Sequence, residues 1–511
     1  MTHREVMEAL SGLLMAMFVA MLSSTIVSNA LPRMVSDLAG SQTGYTWVVV
    51  ATLLTMTATT PIWGKLADQF SKKVLVQTAL GIFSVGSLIA GFAPSMEVLI
   101  GARAVQGLGV GGLTALVQVV IASMVSPRER GRYNGYIGAV FALATVSGPL
   151  IGGLLVDTVG WRWCFFAGLP VALAAFVTLQ KTLHLPVVRR EVHIDYLGGT
   201  LLVGGVSLLL VWVSLAGSQF AWGSVTSLVL AATGTLVIAA AVYVEARVAA
   251  DPVIALRLFR DRTTTLATAA SVLIGVAMYT ATVYLSQYFQ LARGMTPTRA
   301  GLMSICMVGG LLVSSIVSGR LISTTGRWKK FLIGGMVLVI AGLALLSTID
   351  DTTALPVVGT WMAILGLGLG ATMQNTVLAV QNSVAASDLG SGSSVVVFFR
   401  FMGGSIGVSA LGAALSHQVT DSVQRGLDRL GIPVTDGDAR SIPDLAALPA
   451  PVREVFEHAF GEATGHIFLL ALPFAVVSLA LLLFLEEKPM RETLLRADEL
   501  AAAAGGAARA R

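Results

Sequence analysis

Gly64-Lys65-Leu66-Ala67-Asp68-Gln69-Phe70-Ser71-Lys72-Lys73 is a short cationic stretch between two long uncharged runs. Residues 38–64 contain no Asp, Glu, Lys or Arg, and neither do residues 74–96. Each run is long enough to cross a bilayer, which takes about 20 helical residues. The stretch therefore reads as a tight turn at a membrane face. Lys and Arg accumulate on the cytoplasmic side of membrane proteins, and that places the turn inside.

A weaker copy stands at Gly319-Arg320-Leu321-Ile322-Ser323-Thr324-Thr325-Gly326-Arg327. Gly64, Lys65, Leu66 and Lys72 match Gly319, Arg320, Leu321 and Arg327, while Asp68 becomes Ser323. A second repeat runs at a constant offset of 259: Gly107, Gly109, Gly111, Gly131 and Gly148 fall on Gly366, Gly368, Gly370, Gly390 and Gly407. Five glycines at one offset, each in the corresponding span, point to a duplicated unit.

The composition agrees with a chain embedded in lipid. A soluble domain is about a quarter charged; here 511 residues are 55% hydrophobic and 12% charged, with a mean hydropathy of +0.81. Basic inner loops account for the net charge of +5, so no nucleic-acid partner is implied. Cys164 and Cys306 are too few for a disulfide framework or a CxxC metal site. The opening apolar run, residues 9–32, is too long for a cleaved signal and reads as the first span.

Gaps between charges give fourteen spans: 9–32, 38–64, 74–96, 95–124, 133–156, 163–180, two within 196–244, then 263–292, 300–319, 331–349, 352–387, 389–420 and 463–485. The pair within 196–244 breaks at Gly217-Ser218-Gln219 and Trp222-Gly223. The chain divides into a six-helix bundle (1–183), two inserted helices with flanking loops (184–262), a second six-helix bundle (263–487) with an external loop at 421–462, and a cytoplasmic tail (488–511). The expected class is an all-α polytopic membrane protein of two pseudo-symmetric bundles plus two inserted helices. With both termini inside, 23 of the 33 Lys and Arg fall on inner segments, eight outside and two within the membrane. The external loop carries eight acids, four arginines and several prolines, and reads as a solvated, partly structured cap.

Ions inside a bilayer are costly and are functional suspects. Arg103 lies about 12 Å along its helix from Ser95, and Arg400 about 18 Å from Asp388. Either arginine reads as a cation serving a proton site or substrate, or as a structural tie. Asp68 reads as a local cap or salt bridge, or as a latch between helix ends. Gly148 and Gly152 form a GxxxG face beside Pro149 and Gly153, suited to close packing and a bend at a rocking interface. Ser23, Ser24 and Asn29, with Gln118, Tyr284, Gln287, Gln374, Asn375 and Arg400, are candidates for a polar cavity between the halves. The sequence contains no Walker A, HExxH or nucleophile-elbow motif, so no enzyme activity is expected and transport would run on an ion gradient or downhill.

These motifs together resemble the major facilitator superfamily, and the span count resembles its fourteen-span drug:H⁺ antiporter branch. Gly64 to Lys73, with Lys72, look like the loop motif that biases the inward/outward equilibrium. Arg103, Gln106 and Gly107 look like the proton-coupling motif of the fourth span. Gly148, Pro149, Gly152 and Gly153 look like the antiporter motif of the fifth. Thr25-Ile26-Val27 and Ala30-Leu31-Pro32 look like the first-span signature. Trp161-Arg162-Trp163 to Pro170 looks like the Trp-rich entry to the sixth span. The resemblance implies a proton-driven exporter of bulky amphipathic compounds, of the multidrug-efflux and antibiotic-resistance type. It implies a monomer in the cell membrane that works by alternating access and has no cofactor beyond the proton gradient. Two departures stand out. The first-span signature usually carries an acid where this chain has Ser23, and Gly168 replaces an Asn. Glu97 and Asp157 fall near external ends and Glu245 near an internal one, so the proton-coupling candidates are Arg103, Asp68, Asp157 and His466. The alternatives are a proton-independent exporter of an endogenous lipid or metabolite, and a transport-dead membrane sensor or scaffold.

Overall fold

The computed structural model describes residues 3–38, 42–183, 195–217, 220–249, 252–385, 388–430, 432 and 449–490. The described residues are almost wholly helical. The first half contains α1 (His3–Asp37), α2 (Gln42–Gln69), α3 (Lys72–Gly91), α4 (Met96–Met124), α5 (Pro127–Thr158), the single turn α6 (Trp163–Phe166) and α7 (Leu169–Thr182). The inserted pair is α8 (Tyr196–Leu215) and α9 (Val225–Arg247). The second half contains α10 (Arg262–Gln287), α11 (Pro297–Met303), α12 (Ile305–Thr325), α13 (Lys329–Leu346), α14 (Leu355–Ser383), α15 (Leu389–Arg429) and α16 (Ala450–Leu483). Thirteen helices among the described residues are long and apolar enough to cross a membrane, and Leu197–Val213 within α8 is a shorter apolar fourteenth. The protein is a polytopic membrane protein.

The duplication read from the glycines recurs in the packing. In the first half α2 and α3 pack on α4, while α1 packs on α5 and α7. In the second half α12 and α13 pack on α14, while α10 packs on α15 and α16. The halves meet reciprocally, α5 against α12 and α2 against α15. Small residues allow these approaches. A Cβ added at Gly135 of α5 would stand 3.0 Å from the Ile316 Cα of α12. The inserted pair packs on itself, and α8 also touches α2 and α15. The turn between α8 and α9 closes where Gly217, at φ +85°, donates its N–H to the Phe220 carbonyl at 2.7 Å.

The expected spans gain detail. The span read at 300–319 is present as the apolar stretch Thr298–Thr325, and between α11 and α12 the backbone tightens at Ser304, whose N–H bonds the Gly301 carbonyl at 3.1 Å. The ninth span, read at 263–292, ends in a π-helical turn, Tyr288–Ala292. Within 421–462, α15 continues to Arg429 and α16 starts at Ala450, because a helix does not end at its first charge once it leaves lipid. One expectation needs correction. The GxxxG face is not a contact between halves. A side chain at Gly148 would collide with Thr25 of α1, and Gly152 faces the Ile26 backbone. Gly153 alone of this motif approaches the other half, at Thr298.

Residues 486–490 form a strap. The Glu487 carboxylate accepts the N–H groups of Trp328 and Lys329, which open α13, at 2.9 and 3.2 Å. The Trp328 indole donates to the Lys488 carbonyl at 3.0 Å, Asn382 to the Pro489 carbonyl at 3.1 Å, and Lys488 pairs with Asp261 at 2.6 Å. Residues 491–511 lie outside the described residues.

Candidate functional site

Three polar constellations occupy the interior, and each is built from helices that the apolar periodicity turns inward. The first lies where α2 meets α15. Asp388, the N-cap residue of α15, makes no side-chain cap bond and pairs with Arg257 at 2.8 Å instead. The free N–H groups at the start of α15 are taken by Asp68 of α2. Its carboxylate accepts from Gly390 N–H at 2.8 Å, Ser391 N–H at 3.0 Å and the Ser391 hydroxyl at 2.9 Å. A helix N-terminus carries about half a positive charge, so the carboxylate is held by charge as well as by hydrogen bonds. Asp68 is thus a cap, but on a helix of the other half. Close approach is possible because a Cβ at Gly64 would stand 2.7 Å from the Gly390 carbonyl oxygen and nearer still to Ser394. Lys73 binds the Gln180 carbonyl at 2.7 Å and so stays with the first half's surface, and Lys72 is part-buried.

The second constellation is inside the first half. Arg103 is buried and donates to the Val48 carbonyl at 3.4 Å and to the Gln106 side chain. Gln106 in turn donates to the hydroxyls of Ser23 at 2.9 Å and Ser87 at 2.8 Å. Thr52 donates to the Arg103 carbonyl at 3.1 Å. Ser23 therefore stands where an acid would meet the arginine through one glutamine. Arg103 thus bonds a carbonyl and a neutral amide, and dipoles meet its charge.

The third lies on the axis between halves. Gln118 of α4 donates to Gln374 of α14 at 2.6 Å, and the Gln118 carbonyl oxygen has no partner. Arg400 is buried, donates to the Met373 carbonyl at 2.6 Å and keeps Nε unbonded. The Tyr279 ring packs edge-on against Phe401, and Phe401 contacts the apolar cores of both halves. Gln118 and Gln374 bond across the halves and Phe401 packs against both, so polar and aromatic side chains share this interface.

Other cavity candidates fall elsewhere. Asn375 bonds Ser318 at 3.1 Å and the Ala371 carbonyl at 2.8 Å, which ties α14 to α12. Tyr284 donates to the Val408 carbonyl and ties α10 to α15. Gln287 and Ser24 are part-buried, and His466 is exposed on the surface of α16. Asn29, Pro149 and Asp157 lie outside the described side chains. Sequence reasoning missed Arg130. It lies between the spans read at 95–124 and 133–156, yet it is 1% exposed and bonds the Ala122 and Val125 carbonyls at 2.5 and 3.0 Å and Gln381 of the other half at 3.4 Å. Its place one turn into a helix that starts at Pro127 was the available signal.

Residues 13–408 match the family described as Major Facilitator Superfamily. The chain belongs to this superfamily. Its facilitator relatives include the multidrug transporter protein MdtP of Bacillus subtilis strain 168, 34% identical over 426 residues that cover 82% of this chain and 78% of that one. The efflux pump dotC of Dothistroma septosporum is 34% identical over 499 residues, covering 96% and 85%. The crystal structure of the human organic anion transporter MFSD10 superposes with a TM-score of 0.61 at 13% identity, over 92% of this chain and 99% of that chain, and shows the facilitator fold. The superfamily's members are transporters, so this chain is a multi-pass transporter and not an enzyme.

Proposed function

We propose that this protein is a secondary active exporter of bulky amphipathic compounds that exchanges them for protons by alternating access. It would work as a single chain of two six-helix bundles in the cell membrane, with both termini in the cytoplasm. The observation that carries the reading is the Asp68 cap on α15, because it joins the halves at one end through bonds that a rocking motion can make and break. The excess of Lys and Arg on the segments at that end supports a cytoplasmic placement. The polar and aromatic side chains between the halves, and relatives named as an efflux pump and a multidrug transporter, support an amphipathic cargo.

The test is flux in proteoliposomes over a panel of amphipathic dyes and drugs, with and without an imposed pH gradient. Uphill accumulation that requires the gradient supports the reading. Flux indifferent to it favours a second reading, a proton-independent exporter. Ser23 beside Gln106, in place of an acid, is the observation on that side.

A further inference from the structure

The inserted helices carry two carboxylates that the site above does not use. Glu245, on the last turn of α9, is 7% exposed. Its Oε2 accepts the Ile254 N–H at 3.0 Å, the Val253 backbone N–H also acts on the carboxylate, and no donor meets Oε1 at hydrogen-bond geometry. Asp195 caps α8 through Oδ1, which accepts the Gly198 N–H at 2.8 Å, and its Oδ2 is likewise buried with no partner. A buried carboxylate oxygen without a protein donor is costly, and a proton on that oxygen removes the charge. The charged groups acting on Glu245 from neighbouring elements are Asp195 at the start of α8 and Lys65 of α2. On its own helix Arg247 is exposed, and α15 brings apolar Phe398, Phe399, Met402 and Ile406 to the crevice beside it.

Access runs through Asp195. A crevice of about 510 Å³ between α2 and α8 is lined by Lys65, Gln69, Asp195 and Thr200 and is wide enough for water, whereas Glu245 lines a separate apolar crevice of about 340 Å³ among α8, α9 and α15 and meets Asp195 through charge. Lys65 lies one turn before Asp68 on the same helix. A change of charge beside Lys65 therefore acts on the segment that holds α15.

We infer that Glu245, with Asp195, forms a proton-binding site between the inserted helices and α2, and that this site supplies the exchangeable proton. The second clause rests on the antiport reading; the first does not. Loading moves one proton from crevice water to a carboxylate oxygen and leaves a neutral acid, and unloading returns it. The protein needs no acid at Ser23 on this account.

Two measurements test the inference. Infrared titration of the lipid-reconstituted protein should show a carboxylic C=O absorption that grows on acidification and is missing in Glu245→Gln. Asp195→Asn, which keeps a capping side chain, should shift its midpoint. An unchanged band in Glu245→Gln, or no such band in the wild type, overturns the proton site. In proteoliposomes, Glu245→Gln should lower gradient-driven accumulation of a transported panel compound about tenfold or more, with gradient-free exchange within about twofold of wild type. Glu245→Asp should restore part of the loss. Full gradient-driven transport by Glu245→Gln overturns the coupling role. If the wild type itself ignores the gradient, the antiport reading fails and the coupling role with it, while the proton site is decided by the infrared result alone.

Discussion

Asp68 accepts a hydrogen bond from the backbone N–H of Ser391, 323 residues further along the chain, at 3.0 Å. Together with the Gly390 contact, this bond spans the two halves. Asp68→Asn keeps the size but loses the charge and at least one acceptor. Hydrogen bonds to charged groups contribute about 1.5–3 kcal/mol each, so a loss of about 2 kcal/mol should shift the closed-to-open ratio roughly thirtyfold. Transport should fall by about tenfold or more while the amount of protein in the membrane stays at the wild-type level, as read by flux and immunoblot.

Gly64→Ala tests the close approach itself. The new methyl group meets Ser394 and the Gly390 carbonyl, so α2 and α15 must separate. Flux should drop at least about tenfold. Gly101→Ala adds its methyl to open space and should leave flux unchanged.

The buried Arg103 network predicts a graded series. Ser23→Ala removes one bond and leaves Gln106 bonded to Ser87, a loss of about 1 kcal/mol. Gln106→Leu strips Arg103 and both serines of a partner, and leaving a buried charge short of acceptors costs about 3–5 kcal/mol. Thermal unfolding in detergent should rank the variants in that order. Equal effects would contradict the network.

The span count, the duplicated unit and the Asp68 motif were legible because long charge-free runs, repeated glycines and one acid among lysines are local signals. The partner of Asp68 was not, since nothing near residue 68 marks Gly390 as its neighbour. Charge gaps also misplaced the ends of α15 and α16. Asp421 and Glu462 were read as boundaries, whereas both helices run on beyond the apolar region. Arg130 was hidden for the same reason: a cation near a membrane face looks solvated until the tertiary packing encloses it. Glu245 was seen, but its orphan oxygen depends on the fold of residues 252–260.

The strap gives a pH prediction. Burial alone would raise the Asp261 carboxyl, but Lys488 and the bonds from Thr264 outweigh it and hold it below its ordinary 3.8. A depressed folded-state value means that the stabilisation is present above about pH 4 and is lost as the pH falls further. Lys488→Met should lower the unfolding temperature at neutral pH and have little effect in strong acid, as thermal scans across pH will show.

Distances between spin labels at both ends test alternating access most directly. One pair, at Val74 and Arg260, reports the Asp68 end, and a second, at Val98 and Val357, reports the opposite end. Asp68→Asn should lengthen the first distance and shorten the second together. Two distances that stay fixed, or that lengthen in concert, would contradict a rocking transporter clamped by Asp68.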